Sequence, residues 1–456
     1  MTEPSPLPEI RDDSERAFLL LQDLIRQPSV NRGSFEKSDG DERRCAELLA
    51  DFFRDQGLDP EILESAPNRH NLVVRLKGTG EKPPLLLNAH TDVVEADENH
   101  WQHPPFGGEV HDGYLWGRGA IDMKHMAAMS AGVLGRLKAE GRKLQRDVIF
   151  TAVADEEAGC RRGSMFLVDE HADKVRAELM LGEVGGFSLE LFGTTFYPIQ
   201  VAEKGLVWLR AKYTGQPGHG SMPNPNSAVH KLARAIQRLG KKRLPTHPTE
   251  VVRSFLQGIS EVMPLAQKLV MRKLSVPEVS GLILDHLMKD ETQRRAFGAM
   301  LSNTASPTVA RAGHKINVIP GEATIDIDGR TLPGQTTADF LREIRLVLDD
   351  DAEIEVLHEM PPVETGRDEF HVLSRALERH HPGCRPLPYL TPGFTDAKAY
   401  QKLGMRCYGF APVRFAPEDS VAFTKLYHGH DERIPVEGFH WGFGVLYETV
   451  RELAGG

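Results

Sequence analysis

The sequence predicts an α/β protein, a mainly parallel-sheet domain interrupted by a smaller α+β insert of ferredoxin-like type. Three observations carry that expectation. Short apolar runs alternate with long helical patterns in the first part of the chain; the alternation changes character after about Phe196; and the pattern from there runs strand, helix, strand, helix, strand. A 456-residue chain with 40% hydrophobic and 26% charged residues exceeds the size of most single cores. Two domains are therefore expected, an outer one over 1–198 and 359–456 and an inserted one over 199–358.

In the outer domain, "SERAFLLLQDLIRQ" begins at a plausible Ser14 cap and stops before Pro28, and "ERRCAELLADFFRDQG" has helical periodicity ending at Gly57. Strand-like runs follow at "NLVVRL", "PLLLNAH", "DVIFTAVA" and "ELMLGE". The helical "DMKHMAAMSAGVLGRLKAEG" lies between the second and third, as a crossover connection requires. In the insert, "KGLVWLRAKYTG", "EATIDIDGR" and "EIEVL" read as strands and "NSAVHKLARAIQRLG" and "TTADFLREIRLVLDD" as helices. The stretch 244–306 is too long for a simple connection and carries Leu, Val and Met at irregular helical spacing, so extra helices are expected there.

Composition narrows the function classes. A formal charge of -10 without a long Lys/Arg run argues against a nucleic-acid partner. The beginning, "MTEPSPLPEIRDDSER", is acidic and lacks the basic and apolar regions of a signal peptide, and no later segment is apolar for long enough to span a bilayer. A cytoplasmic protein with no membrane partner is the expectation. Cys45, Cys160, Cys384 and Cys407 are scattered without a C-x-x-C pair and read as buried thiols.

The chemistry gathers at strand ends. His90 closes the apolar run of "LLLNAHTDVV", with Asp92 two residues on. An imidazole can bind a metal through one nitrogen while a carboxylate holds its other N–H, though the same pair also suits a capped strand end. Asp122 follows the glycine-rich "GRGAIDMK" and precedes a helix, where an aspartate by itself is more often an N-cap. Glu156 and Glu157 stand together in "VADEEAGC", Glu183 follows the next strand in "LGEVGG", and "YHGHDERIPVE" adds His428 and His430. Carboxylates at one strand terminus after another, flanked by small residues, suit a pair of divalent ions with a base to activate water. Of two adjacent glutamates, one can bind a metal while its neighbour takes a proton.

The chain resembles the family of di-zinc amidohydrolases and exopeptidases that includes aminoacylase, acetylornithine deacetylase, succinyl-diaminopimelate desuccinylase, carnosinase-like dipeptidases and glutamate carboxypeptidase. The motifs are "NAHTDVV", "WQHPPFGGEVHDGYLWGRGAIDMK", "ADEEAGCRRGS", "GQPGHGSMP", "HKINVIPGEATIDIDGR" and "HGHDE". The resemblance implies that His90 and Glu183 hold one zinc, Glu157 and His428 the other, and Asp122 bridges them. It makes Glu156 the general base and Asp92 the group that orients His90, and in this family the peptide after Asp122 is often cis. The pattern His-x-x-Asp/Asn-Glu selects His428, ahead of Asp431 and Glu432, with His430 as the runner-up.

In the insert, His219 sits among glycines in "GQPGHGSMP", which by itself reads as a turn with a solvated histidine. The resemblance implies instead that it reaches the active site of a partner subunit and steadies an oxyanion. Asn317 and Arg330 match positions that contact substrate, the arginine suiting a bidentate carboxylate clamp, although a surface ion pair would explain it equally. "PGFTDAK" departs from the family by placing Phe394 and Thr395 before Asp396 where two glycines and a serine are usual.

The expected function is a metal-dependent hydrolase that cleaves an amide next to a free carboxylate. An exopeptidase of dipeptidase or carboxypeptidase type is preferred, an N-acyl-amino-acid amidohydrolase is the alternative, and a metal-free dimeric binding protein is the remote one. Two divalent ions per chain are expected, zinc first with cobalt or manganese acceptable to the same ligands. An exposed edge strand in the insert would pair with its mate, so a homodimer is expected.

Overall fold

The computed structural model describes residues 8–34, 37–348, 351–420 and 426–455. The chain divides into two compact units. One comprises 1–201, 365–389 and 395–456, the other 202–364 with 390–394.

The first unit is built on a mixed sheet whose centre is parallel. Leu85–His90 lies between Val148–Val153 and Leu179–Gly182, and Arg406–Gly409 joins on the far side of Leu179–Gly182, all four running the same way. Antiparallel strands flank this core, Arg69–Leu76 and Pro60–Ala66 on one side and Thr194–Glu203 on the other. Strands buried on both faces read as continuous apolar runs, and every residue of Leu85–His90 and Val148–Val153 is buried. The helix Lys124–Glu140 is buried almost all round, because it packs between Pro8–Ile25 and Val436–Ala454. Lys124 opens it, its ammonium donating to the carbonyls of Leu24 (2.9 Å) and Gln27 (2.8 Å). The four cysteines are buried thiols.

Since parallel strands end on one edge, the segments after His90, Val153 and Gly182 emerge side by side. The turn after Val153 is tight: Asp155 adopts a left-handed backbone (φ 68°), Glu156–Ala158 forms one 3₁₀ turn, and Gly159 closes it at φ 107°, which a side chain would resist.

In the second unit, Thr304–Ala312, Glu322–Thr331, Gly205–Thr214 and Glu353–Met360 form an antiparallel sheet in that order. With the helices Ala228–Lys241 and Thr337–Val347 the chain order is β-α-β-β-α-β, the ferredoxin-like arrangement. Alternate residues of Gly205–Thr214 (Val207, Leu209, Ala211, Tyr213) meet Ile325, Ile327, Leu232, Phe340 and Ile344 in one core. The stretch 244–306 holds helices at Glu250–Ser260, Leu265–Lys273, Pro277–Leu282 and Glu291–Leu301. Its tail opens a strand that sequence reading missed, Thr304–Ala312. This edge strand is mostly exposed and its register shifts at Pro307, so it shows no apolar alternation.

Thr336 and Asp339 form a reciprocal capping box on Thr337–Val347. Thr336→Ala is expected to cost about 0.5–2 kcal/mol of stability, read as a shift of the urea midpoint at unchanged slope.

Candidate dinuclear metal centre

Asp122 occupies the middle of the site. Its Oδ1 lies 3.0 Å from His90 Nε2 and its Oδ2 2.9 Å from His428 Nε2, so one carboxylate faces two imidazoles that come from opposite ends of the chain. Glu183 Oε2 is 3.4 Å from His90 Nε2, and Glu157 Oε2 is 3.1 Å from His428 Nε2. Glu156 Oε2 stands farther off, 4.0 Å from His90 Nε2. Two sets that could each hold an ion emerge, His90 with Glu156 and Glu183, and His90 with Asp122 and Glu157. His430 stays outside the cluster, its ring 5.0 Å from that of His100.

The backbone is fixed by carboxylates that sequence reading left without that task. Asp92 Oδ1 accepts the N–H of Glu156 and Oδ2 that of Glu157, both at 3.1 Å, while Asn31 Nδ2 donates to Oδ2 at 2.8 Å. His90 Nδ1 lies closer to the carbonyl of Asp92 (3.0 Å) than to its Oδ1 (3.5 Å). Asp92 thus holds the tandem-glutamate turn as well as standing beside His90. Glu432 Oε1 accepts the N–H groups of Gly119, Ile121 and Asp122 at 3.1, 2.8 and 3.1 Å, and its Oε2 pairs with Arg118 Nη1 at 2.8 Å. Behind the turn, fully buried Arg69 bridges Glu42 (2.8 Å) and Asp155 (3.0 Å). Tyr427 donates to Glu183 Oε2 at 3.1 Å. The peptides after Asp122 and Glu183 are both cis.

The electrostatics fit a site for cations. Asp122, Glu156, Glu157 and Glu183 are almost fully shielded from water, and among the described residues no lysine or arginine nitrogen lies within ion-pair distance of any of them. Burial and the charge of Asp122 push Glu157 up to about 7, and burial with the neighbouring Glu183 charge raises Glu156 well above the carboxylate range. Burial also raises Glu183. For His90 burial acts downward, but Glu183 and Asp122 outweigh it and hold the imidazole well above its usual value. Hydrogen bonds to Asp122 and Glu157 push His428 up to about 10. Protons stand in these shifts for missing positive charge, the deficit that divalent ions would make good. Glu157 Oε1 adds an orphan, a buried oxygen without a hydrogen-bond partner.

The remaining expected residues lie in the second unit. His219, on the short strand Gly218–His219, pairs with Val318, which places it beside Asn317, whose carbonyl accepts the N–H of Gly220 at 2.9 Å. The exposed ring accepts the Ser221 N–H at Nδ1 (3.2 Å), so the proton of the neutral imidazole sits on Nε2. Arg330 lies on Glu322–Thr331 and makes a bidentate pair with Asp328 (Nε 2.8 Å, Nη2 3.1 Å). Its Nη1 is buried without a partner.

Buried carboxylates with one buried imidazole, His90, and one exposed imidazole, His428, at the carboxyl edge of a parallel sheet fit the site of a metal-dependent hydrolase. The chain belongs to peptidase family M20/M25/M40, whose sequence profile matches residues 86–452. Members are hydrolases acting on peptide or amide bonds, and so is this chain. It is 28% identical over 405 residues to a probable carboxypeptidase S-like 2 of Dictyostelium discoideum, covering 84% of this chain and 74% of that one. It is also 28% identical over 424 residues to aminoacylase-1 of Sus scrofa, covering 89% of each. The fold matches the M20 metallo-carboxypeptidase Sso-CP2 of Sulfolobus solfataricus with a TM-score of 0.70 at 17% identity, over 95% of this chain and 98% of that one. It matches the Bacillus subtilis YXEP protein, a dinuclear metal-binding peptidase of family M20, with a TM-score of 0.59 at 14% identity, over 97% and 99% of the two chains.

Proposed function

We propose that the chain is a di-metal exopeptidase that hydrolyses the amide next to a free carboxylate in short peptides. The observation that carries the reading is Asp122, with one oxygen turned to His90 and the other to His428. His90 with Glu183 and His428 with Glu157 would then hold one ion each, and Asp122 both. Zinc suits imidazole and carboxylate ligands, and cobalt or manganese would be accepted by the same set. Bound there, two divalent ions would supply Lewis-acid polarisation of the scissile carbonyl and acidify the attacking water.

The protein's own groups do the rest. Glu156 takes the proton from water as water attacks the carbonyl carbon, and returns it to the amine nitrogen as the C–N bond breaks. The tetrahedral oxyanion needs a donor, and His219 presents its N–H at Nε2. We assign that donor to a second copy of the chain, in a homodimer. The exposed edge strand Thr304–Ala312 supports pairing between copies. Light scattering should give twice the chain mass at micromolar concentration; a monomer would remove the role given to His219. Asn317 and Arg330 are assigned to the substrate, on the resemblance of their motifs.

The likeness to aminoacylase-1 supports a second reading, hydrolysis of N-acyl amino acids by the same machinery. A panel of dipeptides and N-acyl amino acids, assayed with added zinc, cobalt or manganese, separates the two. Turnover of dipeptides alone upholds the first, and turnover of acylated amino acids alone replaces it with the second. Chelation is expected to abolish activity and lower the melting temperature, both restored by metal, because ions that bind only the folded chain stabilise it by mass action.

A further inference from the structure

We propose a third metal site, outside the Asp122 cluster, formed by His103, Glu109 and His111. One ligand atom from each of the three lies within 4.8 Å of the others. Glu109 and His111 are alternate residues of the strand Glu109–His111, so their side chains leave the same face, and His111 Nε2 is 2.9 Å from Glu109 Oε2. His103 arrives from the preceding loop and stacks its ring on that of His111, with centroids 3.7 Å apart and planes 7° apart, so sharing an ion requires one of the two rings to turn until both aim a nitrogen at it.

The surroundings are those of a supported site. Trp116, 7% exposed, stands edge-on to His103 at 4.6 Å and forms an apolar wall behind it. Its indole N–H donates to the carbonyl of His111 at 3.3 Å and so ties the strand that carries two of the ligands to its neighbour. Apolar backing on one side strengthens a metal site, while Glu109, with a side chain 51% exposed, keeps the other side open to solvent. Two imidazoles and one carboxylate suit zinc, nickel or copper with a position left open for water, and do not suit calcium or magnesium, which take oxygen ligands. Occupancy would staple the loop holding His103 to the hairpin Glu109–Trp116, and that hairpin runs straight into the turn 117–122 that presents Asp122. The site rests on none of the residues assigned to catalysis.

The test is a count of bound ions. Untagged protein is stripped of metal and dialysed against a series of free zinc concentrations. Wild type, His103→Ala, His111→Ala and Asp122→Asn are then compared by elemental analysis. The two histidine variants should hold about one ion fewer per chain than wild type at saturation and keep peptide hydrolysis unchanged. Asp122→Asn should retain this peripheral ion while losing others, so failure of the third site and failure of the dinuclear reading give different patterns. Equal metal content in wild type and both histidine variants at every zinc concentration would overturn the proposal. Uptake of calcium at the same site would overturn the assignment to an imidazole-seeking cation.

Discussion

Glu156→Gln is expected to slow turnover by about a hundredfold to ten-thousandfold while both metal ions stay bound, the scale at which general-base catalysis is lost. The amide keeps the shape of the carboxylate, so the site remains filled. The turn that carries it does not depend on the side chain either, since Asp92 holds the backbone N–H groups of residues 156 and 157. KM should change little, because the lost interaction belongs to the transition state. Elemental analysis and steady-state kinetics on the same preparation provide the check. A variant that lost an ion would move the base role to Glu157, and a fully active one would remove the base from this turn altogether.

Asp122→Asn should have the wider effect, striking both ions at once. An amide offers one oxygen, whereas the native carboxylate turns one oxygen to His90 and the other to His428. Whichever way the amide points, an NH2 group faces one of the two positions and repels a cation. Activity is expected to fall at least about a hundredfold and to stay low in excess metal. The fold should survive, because Glu432 anchors the backbone of residue 122 and its neighbours. Circular dichroism and a metal titration distinguish this outcome from simple unfolding. Wild-type metal content in the variant would exclude Asp122 as the shared ligand.

Most of the central cluster was legible because its residues stand at strand ends, where an apolar run stops abruptly at His90, at Glu156 and Glu157, and at Glu183. His428 was separable from His430 only through its spacing to Asp431 and Glu432. The supporting groups left no such trace. Asn31, Arg69 and Glu42 come from segments far from Asp155 and Asp92 in sequence, and a buried arginine gives no periodic signal. Glu432 was visible as part of a pattern, but its three backbone partners follow only from the folded loop. Arg330 shows the limit in another way, since the carboxylate that engages it, Asp328, sits two residues away on the same strand. The strand Thr304–Ala312 escaped because an exposed edge need not alternate.

The parallel sheet has a further consequence, for synthesis rather than catalysis. Arg406–Gly409 lies directly against Leu179–Gly182, near the middle of the sheet, although the whole inserted unit is translated between them. A nascent chain leaving the ribosome must therefore hold a slot open beside Leu179–Gly182 until the last portion of the polypeptide arrives. The insert has its own core and strands drawn from one continuous stretch, so it can fold while the first domain waits. During that interval the waiting half presents an unpaired apolar edge, the kind of surface that chaperones bind and that aggregation exploits. His428 follows Arg406–Gly409 in the chain, so a chain cut between them lacks one of the proposed ligands.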